Sequence, residues 1–297
     1  MRFDNADDII QITPEWKGER FPNGRPKVPT DILRRFQRVT TEEAWGVLWE
    51  HGYKYQFQGD WKVIHPGKIL VGRAVTAMMV PKRPDLDTCL LDYGHKEEGR
   101  KGFFNSWVIE SLVEDDVLVV DLFDKIWGGT FVGGNLTTAI ARRTVRGGSV
   151  IWGGIRDVQQ VMGIDAIQTY YRGNDPTPIW DVTLTGFNGP TRIGTAICMP
   201  GDVVLGTPAG ITFVPPQLAE ECCVKAEKVA MRDRFGLLRL SQGTYSTAQI
   251  DSMWSDEIWT DFHTWRENNT PEEYRHLDWS HEQEEMKKRQ AGKQTMQ

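Results

Sequence analysis

The residues whose types and spacing best suit chemistry lie between Gly128 and Asp157. The run Gly128-Gly129-Thr130-Phe131-Val132-Gly133-Gly134-Asn135-Leu136 leads into Thr137 to Arg146. It continues as Gly147-Gly148-Ser149-Val150-Ile151-Trp152-Gly153-Gly154-Ile155-Arg156-Asp157. The pattern reads as loop, helix, strand and charged loop. A helix over Asn135 to Arg146 climbs roughly 18 Å at about 1.5 Å per residue, and an extended run from Ser149 to Gly153 returns roughly 16 Å at about 3.3 Å per residue. The two lengths nearly cancel, so Arg156 and Asp157 are expected beside the helix N-terminus. Unpaired backbone N–H groups and the helix dipole favour an anion there. One reading is a carboxylate pocket with a guanidinium and a metal-capable acid beside it. The competing reading is a surface helix capped by Asn135, with glycines that only make turns.

Several elements must hold this stretch in place. Asp116-Val-Leu-Val-Val-Asp121 reads as a short strand feeding the glycine loop, and ligand sites in α/β sheets commonly lie where strands end and helices begin. Lys68 to Val80 is β-rich and nearly continuous in apolar character, which predicts a buried strand. Helices are expected from Thr41, capped by Thr40 or Thr41, over Phe104 to Val113, and just after Asp157. Thr177-Pro178-Ile179-Trp180 leads to a short strand, and Met199 to Pro215 reads as two strands around Gly206-Thr-Pro-Ala-Gly210. From Pro216 an amphipathic helix places Leu218, Cys222, Ala226 and Val229 on one face, with Cys222 and Cys223 as one core and one flanking residue.

Between Pro81 and Lys101 the acids Asp85, Asp87, Asp92, Glu97 and Glu98 accompany His95. Their spacing matches no ligand motif, and the segment reads as a solvated loop. Residues 1–39, with Pro14, Pro22, Pro26 and Pro29, suit an extended N-terminal arm. Residues 229–297 form a C-terminal extension in which Trp254, Trp259, Trp265 and Trp279 lie among acids, as expected of a strap across the body or a neighbour. His263, His276 and His281 do not form H-E-x-x-H.

Composition narrows the function classes. The formal charge of −6 and pI near 5.6 give no general electrostatic drive toward nucleic acid. No run approaches the roughly eighteen apolar residues of a membrane span, and the N-terminus has no apolar signal core. Cys89, Cys198, Cys222 and Cys223 show neither C-x-x-C spacing nor a dense disulfide framework, which fits a reducing cytoplasm.

From about Thr40 to Pro215 the chain resembles the RraA-like family, which includes the regulator of ribonuclease activity A and the 4-hydroxy-4-methyl-2-oxoglutarate aldolases. The matching residues are Val71-Gly-Arg-Ala-Val-Thr76, Asp116-Val-Leu-Val-Val-Asp121, Gly134-Asn135-Leu136 and Gly153-Gly154-Ile155-Arg156-Asp157. Pro200-Gly-Asp202 and Ala209-Gly210-Ile-Thr-Phe-Val-Pro215 follow in the same order.

The resemblance implies a compact α/β domain of the ββα swivelling type over residues 40–228. It also implies assembly as a homotrimer or a multiple of trimers, with sites near subunit boundaries. By the same resemblance, Asp157 holds Mg²⁺ or Mn²⁺, Arg156 binds substrate and stabilises an enolate, and Gly134, Asn135, Leu136 and Thr137 receive a pyruvyl carboxylate. The implied activity is a divalent-metal-dependent lyase, an aldolase or decarboxylase, cleaving a carbon–carbon bond in a 2-oxo acid. That cleavage leaves a pyruvate enolate, whose charge calls for a Lewis acid and a fixed cation. The chain departs from the aldolase pattern at Asn135, Gln160 and Gly206-Thr207, where those enzymes often carry acids. The alternative is a non-catalytic regulatory or protein-binding member. A third label attached to the family, menaquinone methyltransferase, gets little support, because Val119 to Asp124 does not continue into the glycine pattern of a nucleotide-binding turn.

Overall fold

The computed structural model describes residues 4–294. Its strands are β1 (Phe57–Gln58), β2 (Lys62–Val63), β3 (Leu70–Pro81), β4 (Asp116–Lys125), β5 (Gly148–Ile155) and β6 (Gln168–Asn174). They continue with β7 (Val182–Phe187), β8 (Thr191–Ile193), β9 (Ala196–Cys198), β10 (Val203–Thr207) and β11 (Gly210–Val214). The helices are α1 (Ala6–Ile12), α2 (Thr30–Phe36), α3 (Thr41–Glu50), α4 (Pro84–Asp92), α5 (Phe104–Glu110), α6 (Gly134–Thr144) and α7 (Val158–Met162). After these come α8 (Ala219–Ser241), α9 (Thr247–Ile250), α10 (Asp256–Asn269) and α11 (Ser280–Gln294).

Among the described residues, nine strands form one sheet in the order β1-β11-β10-β3-β4-β5-β6-β2, with β7 also paired to β3. The central strands β3, β4, β5 and β6 run parallel, joined by crossovers that carry α4 and α5, then α6, then α7. This is the α/β fold expected from the sequence. Parallel strands covered on both faces read as continuous apolar runs, which is how Leu70 to Val80 and Val117 to Leu122 stand in the chain.

Alternate residues divide between two cores. Val75, Ala77, Leu118, Val120 and Ile151 pack under the helices with Trp107, Ile140 and Val161. Ala74, Val117, Val119 and Val150 pack on the opposite face with Ile193, Ile211 and Phe213. Because β3, β4, β5 and β6 are parallel, the loops after β4 and β5 emerge along one edge, and the glycine loop meets the Arg156-Asp157 turn there.

The local expectations for α3 hold in detail. Thr40 caps it, and Glu43 returns to the Thr40 backbone to complete a reciprocal capping box.

Three expectations are corrected. The polar segment after Pro81 is helical: Pro84 opens α4, Leu90 is buried, and Tyr93–Glu97 continues as a wider turn. The N-terminal residues are packed and carry α1 and α2. Ile9, Val28, Ile32, Leu33 and Phe36 are all buried. Their anchor is Arg25, whose guanidinium makes two 2.8 Å bonds to the carboxylate of Asp116 at the start of β4. Cys222 and Cys223 are both fully buried, so neither serves as a flank.

The chain divides into two compact units, Met1–Cys222 and Cys223–Gln297. Within the second, the tryptophans turn inward. Trp254 and Trp279 join Met231, Phe235, Ile258 and Phe262 in a core of their own, with Trp259 and Trp265 packed against it. No helix among the described residues is long and apolar enough to cross a membrane.

Candidate active site

The glycine loop is fastened at both ends before it reaches α6. Phe131 N–H donates to Gly154 O at 2.9 Å and Arg156 N–H donates to Val132 O at 3.0 Å, so the loop pairs with the end of β5. Asn105 Nδ2 donates to Phe131 O at 2.9 Å, and Thr130 Oγ1 donates to Thr177 O at 2.7 Å. Asp175 accepts from the Thr177 backbone N–H, the Thr177 hydroxyl and the Gly128 N–H. The Thr177 hydroxyl bond is the largest influence holding the Asp175 carboxyl below its ordinary range, so Asp175 acts as a fixed acceptor that shapes the loop. Asn105, Asp175 and Thr177 were not singled out from sequence. An Asx turn at Asp175-Pro-Thr177 was the one legible signal.

Gly133 stands at the N-cap of α6 and supplies no side-chain cap. The missing acceptor comes from across the turn, where Gly134 N–H donates to Asp157 Oδ2 at 3.1 Å. Asp157 sits in the left-handed region at φ 55 and ψ 38, and its backbone carbonyl accepts from Gln160 and Val161 to open α7. One residue therefore starts two helices, with its carbonyl for α7 and its carboxylate for α6. Aspartate tolerates this backbone better than most residues.

Arg156 Nη1 lies 3.8 Å from Asp157 Oδ2, and both side chains are partly exposed. Among the described residues, neither the Arg156 guanidinium nor Asp157 Oδ1 has a hydrogen-bond partner. A cavity of about 340 Å³ borders them on the side of Asn174, Asp175 and Pro176. Gly133 is required at this point. A Cβ there would strike the Asp157 carboxylate and approach Arg156 Cγ and Nε to 2.9 Å. At Gly134 a Cβ would instead strike the amide of Gln160, which lies over the start of the helix.

The structure thus brings Gly134, Arg156 and Asp157 together, as the lengths of helix and strand implied. The N–H groups of Asn135 and Leu136 have no acceptor among the described residues and remain available to an anion. Thr137 is placed differently: its N–H donates to Gly133 O at 3.0 Å, and its hydroxyl is buried without a partner. Asn135 is the second residue of α6 and does not cap it, which removes the reading of an Asn135-capped surface helix.

A divalent ion suits this donor set in one form. Among the described residues, no group of three His, Cys, Asp or Glu side chains is disposed to hold a metal. The carboxylate of Asp157, with Oδ1 unengaged beside a cavity, matches the single-carboxylate, water-rich coordination that Mg²⁺ accepts.

A parallel-centred α/β sheet with a glycine loop, a helix N-terminus and an Arg-Asp pair at one edge defines an α/β domain with a candidate acid-binding site. The chain belongs to the RraA-like family: the family model described as "RraA-like: Aldolase/RraA" matches residues 42–213. No curated protein sequence matches it. Among solved structures it is similar to RraAS2 of Streptomyces coelicolor, described as an unusual member of the RNase ES inhibitor RraA protein family. That pair shares 23% identity over 72% of this chain and 98% of the other, with a TM-score of 0.60. It is also similar to an uncharacterized protein from Pseudomonas syringae pv. tomato str. DC3000, at 20% identity over 79% and 99% of the two chains and a TM-score of 0.62. At these identities the likeness shows the shared fold alone.

Proposed function

We propose that the protein is a divalent-metal-dependent carbon–carbon lyase acting on a 2-oxo acid. One observation carries this reading: Asp157 folds back onto Gly134 N–H beside an Arg156 guanidinium that pairs with it at 3.8 Å and has no hydrogen-bond partner among the described residues. The site thereby gathers a metal-capable carboxylate, a fixed cation and unengaged backbone donors. Mg²⁺ or Mn²⁺ held by Asp157 would supply Lewis-acid stabilisation of charge on a substrate oxygen. Arg156 presents donors to the substrate carboxylate or to the oxygen that becomes negative as the bond breaks. The Asn135 and Leu136 N–H groups, at the positive end of α6, receive the other carboxylate oxygen. Gln160 covers Gly134 and limits how far substrate extends over the helix. Asp175, committed to the loop, is a poor proton acceptor, so the base comes from water or from a neighbouring subunit.

Screening branched 2-oxo acids for pyruvate release with Mg²⁺ or Mn²⁺ tests the reading. Metal-dependent release that Asp157→Ala removes is the expected result. An absence of turnover with every metal, together with parental metal titration by Asp157→Ala, overturns it. We further propose assembly as a homotrimer in which each site is completed at a subunit boundary. Light scattering should then give three times the 33.9 kDa chain mass or a multiple of that value.

A second reading, a regulatory protein that works by contact, draws on Asn135 and on Trp127 and Trp180, which are 84% and 64% exposed. A neutral amide at the helix start and bare indoles near the loop suit protein recognition. Specific retention of a partner protein with no pyruvate chemistry would favour it.

A further inference from the structure

A second cavity lies wholly within the unit Cys223–Gln297, and every residue lining it falls outside the family-matched span 42–213 in sequence. It encloses about 610 Å³ between α8, α9 and the segment 251–254. Leu237, Leu240 and Ile250 give it an apolar wall, and Arg232 brings a cation to that wall. The Arg232 guanidinium carbon lies 4.6 Å from the Trp254 ring centroid and 5.4 Å from that of Trp259, so two indoles fix its plane.

The guanidinium makes no hydrogen bond among the described residues, and its Nε is buried without a partner. Burial lowers its pKa, a pull only partly opposed by the charges of Asp233 and Glu282. An arginine carries five donors in a rigid fork, and leaving them unmet in a half-buried place is costly. Trp254 and Trp259 supply ring faces and no acceptor. The missing acceptors must come from solvent or from a ligand, and the cavity volume falls within the range of small-molecule sites.

We propose that this cavity binds an amphipathic monocarboxylate, with Arg232 taking the carboxylate and Leu237, Leu240 and Ile250 covering the apolar body. A planar carboxylate matches the guanidinium fork. Asp233 and Asp251 also line the cavity and are exposed, so they repel a second negative charge. That arrangement disfavours dianionic phosphate more strongly than a monocarboxylate.

Calorimetric titration of the full chain with sodium octanoate, and separately with inorganic phosphate, tests the assignment. Octanoate should bind saturably and phosphate should not. Arg232→Gln should weaken octanoate binding roughly tenfold or more, the scale of a lost charge-assisted pair. Leu237→Glu should weaken it comparably through charge repulsion, at a residue 68% exposed and so dispensable for folding. Arg156→Gln should leave it unchanged, which separates this cavity from the glycine-loop site. No saturable octanoate binding, parental affinity in Leu237→Glu, loss in Arg156→Gln, or tighter binding of phosphate would each overturn the proposal. If Arg232→Gln fails to fold, Leu237→Glu decides the matter alone.

Discussion

Replacing Asp157 by Asn and by Ala separates the two tasks of that carboxylate. In the structure it accepts the Gly134 N–H at 3.1 Å and carries the charge available to a metal. Asparagine keeps an acceptor of the same shape and tolerates φ 55, so only the charge-assisted part of the bond and its interaction with the helix dipole are lost. The expected cost is about 0.5 kcal/mol. Alanine removes the cap entirely, about 1 kcal/mol, and adds about 1 kcal/mol of left-handed backbone strain. A total near 2 kcal/mol lowers the unfolding midpoint of a domain this size by roughly 4–8 °C. Thermal unfolding by circular dichroism reads the first task, and Mg²⁺ or Mn²⁺ titration reads the second. Asp157→Asn should melt close to the parent while losing metal binding, whereas Asp157→Ala should lose both. Equal melting of Ala and parent would refute the capping geometry. Parental metal affinity in Asp157→Asn would refute the charge assignment.

Other outcomes follow from the same geometry. Gly133→Ala should abolish turnover by displacing Arg156 and Asp157 and, because the displaced carboxylate no longer caps α6, should also lower the unfolding midpoint by roughly 2–4 °C. A fully active variant would show that the loop packs differently. Arg25→Ala should cost about 3–5 kcal/mol in urea unfolding, because Asp116 is left buried without its principal cation, and a cost below about 1 kcal/mol would contradict that. Asp202 is fully buried, which pushes its carboxyl up from 3.8 to about 7, while the Met199 N–H bond pulls the other way. The folded state therefore holds a proton that the unfolded state releases between about pH 4 and 7, and stability should fall as pH rises across that window, by at most about 4 kcal/mol. Asp202→Asn should flatten this decline, as followed by urea midpoints at pH 4, 6 and 8.

The central stretch was legible because its information is local. Helix rise and strand rise fix where Arg156 and Asp157 return, and Thr40-Thr-Glu-Glu43 spells its own capping box. What escaped depends on distant partners. Arg25 reads as one more surface arginine until Asp116, 91 positions away, is seen to hold it in two bonds. The prolines of the N-terminal residues pointed to an extended arm, but Ile32, Leu33 and Phe36 recur at helical spacing and are buried. Acids recur through residues 84–98, and their charge masks the inward side of α4, where Leu90 is buried and Leu86 and Leu91 pack against the core. In the second unit the tryptophans pack on Phe235 and Phe262 of the same unit, a pairing that composition alone could not reveal.

The proposed enolate site at Arg156 and Asp157 is open to a direct test with pyruvate itself. A site that stabilises a pyruvate enolate should exchange the methyl protons of pyruvate for deuterium in D₂O, as followed by proton NMR. The account predicts Mg²⁺-dependent exchange that is lost in Asp157→Asn and in Arg156→Gln. Exchange at the rate of the enzyme-free control, in protein shown to bind Mg²⁺, would contradict it.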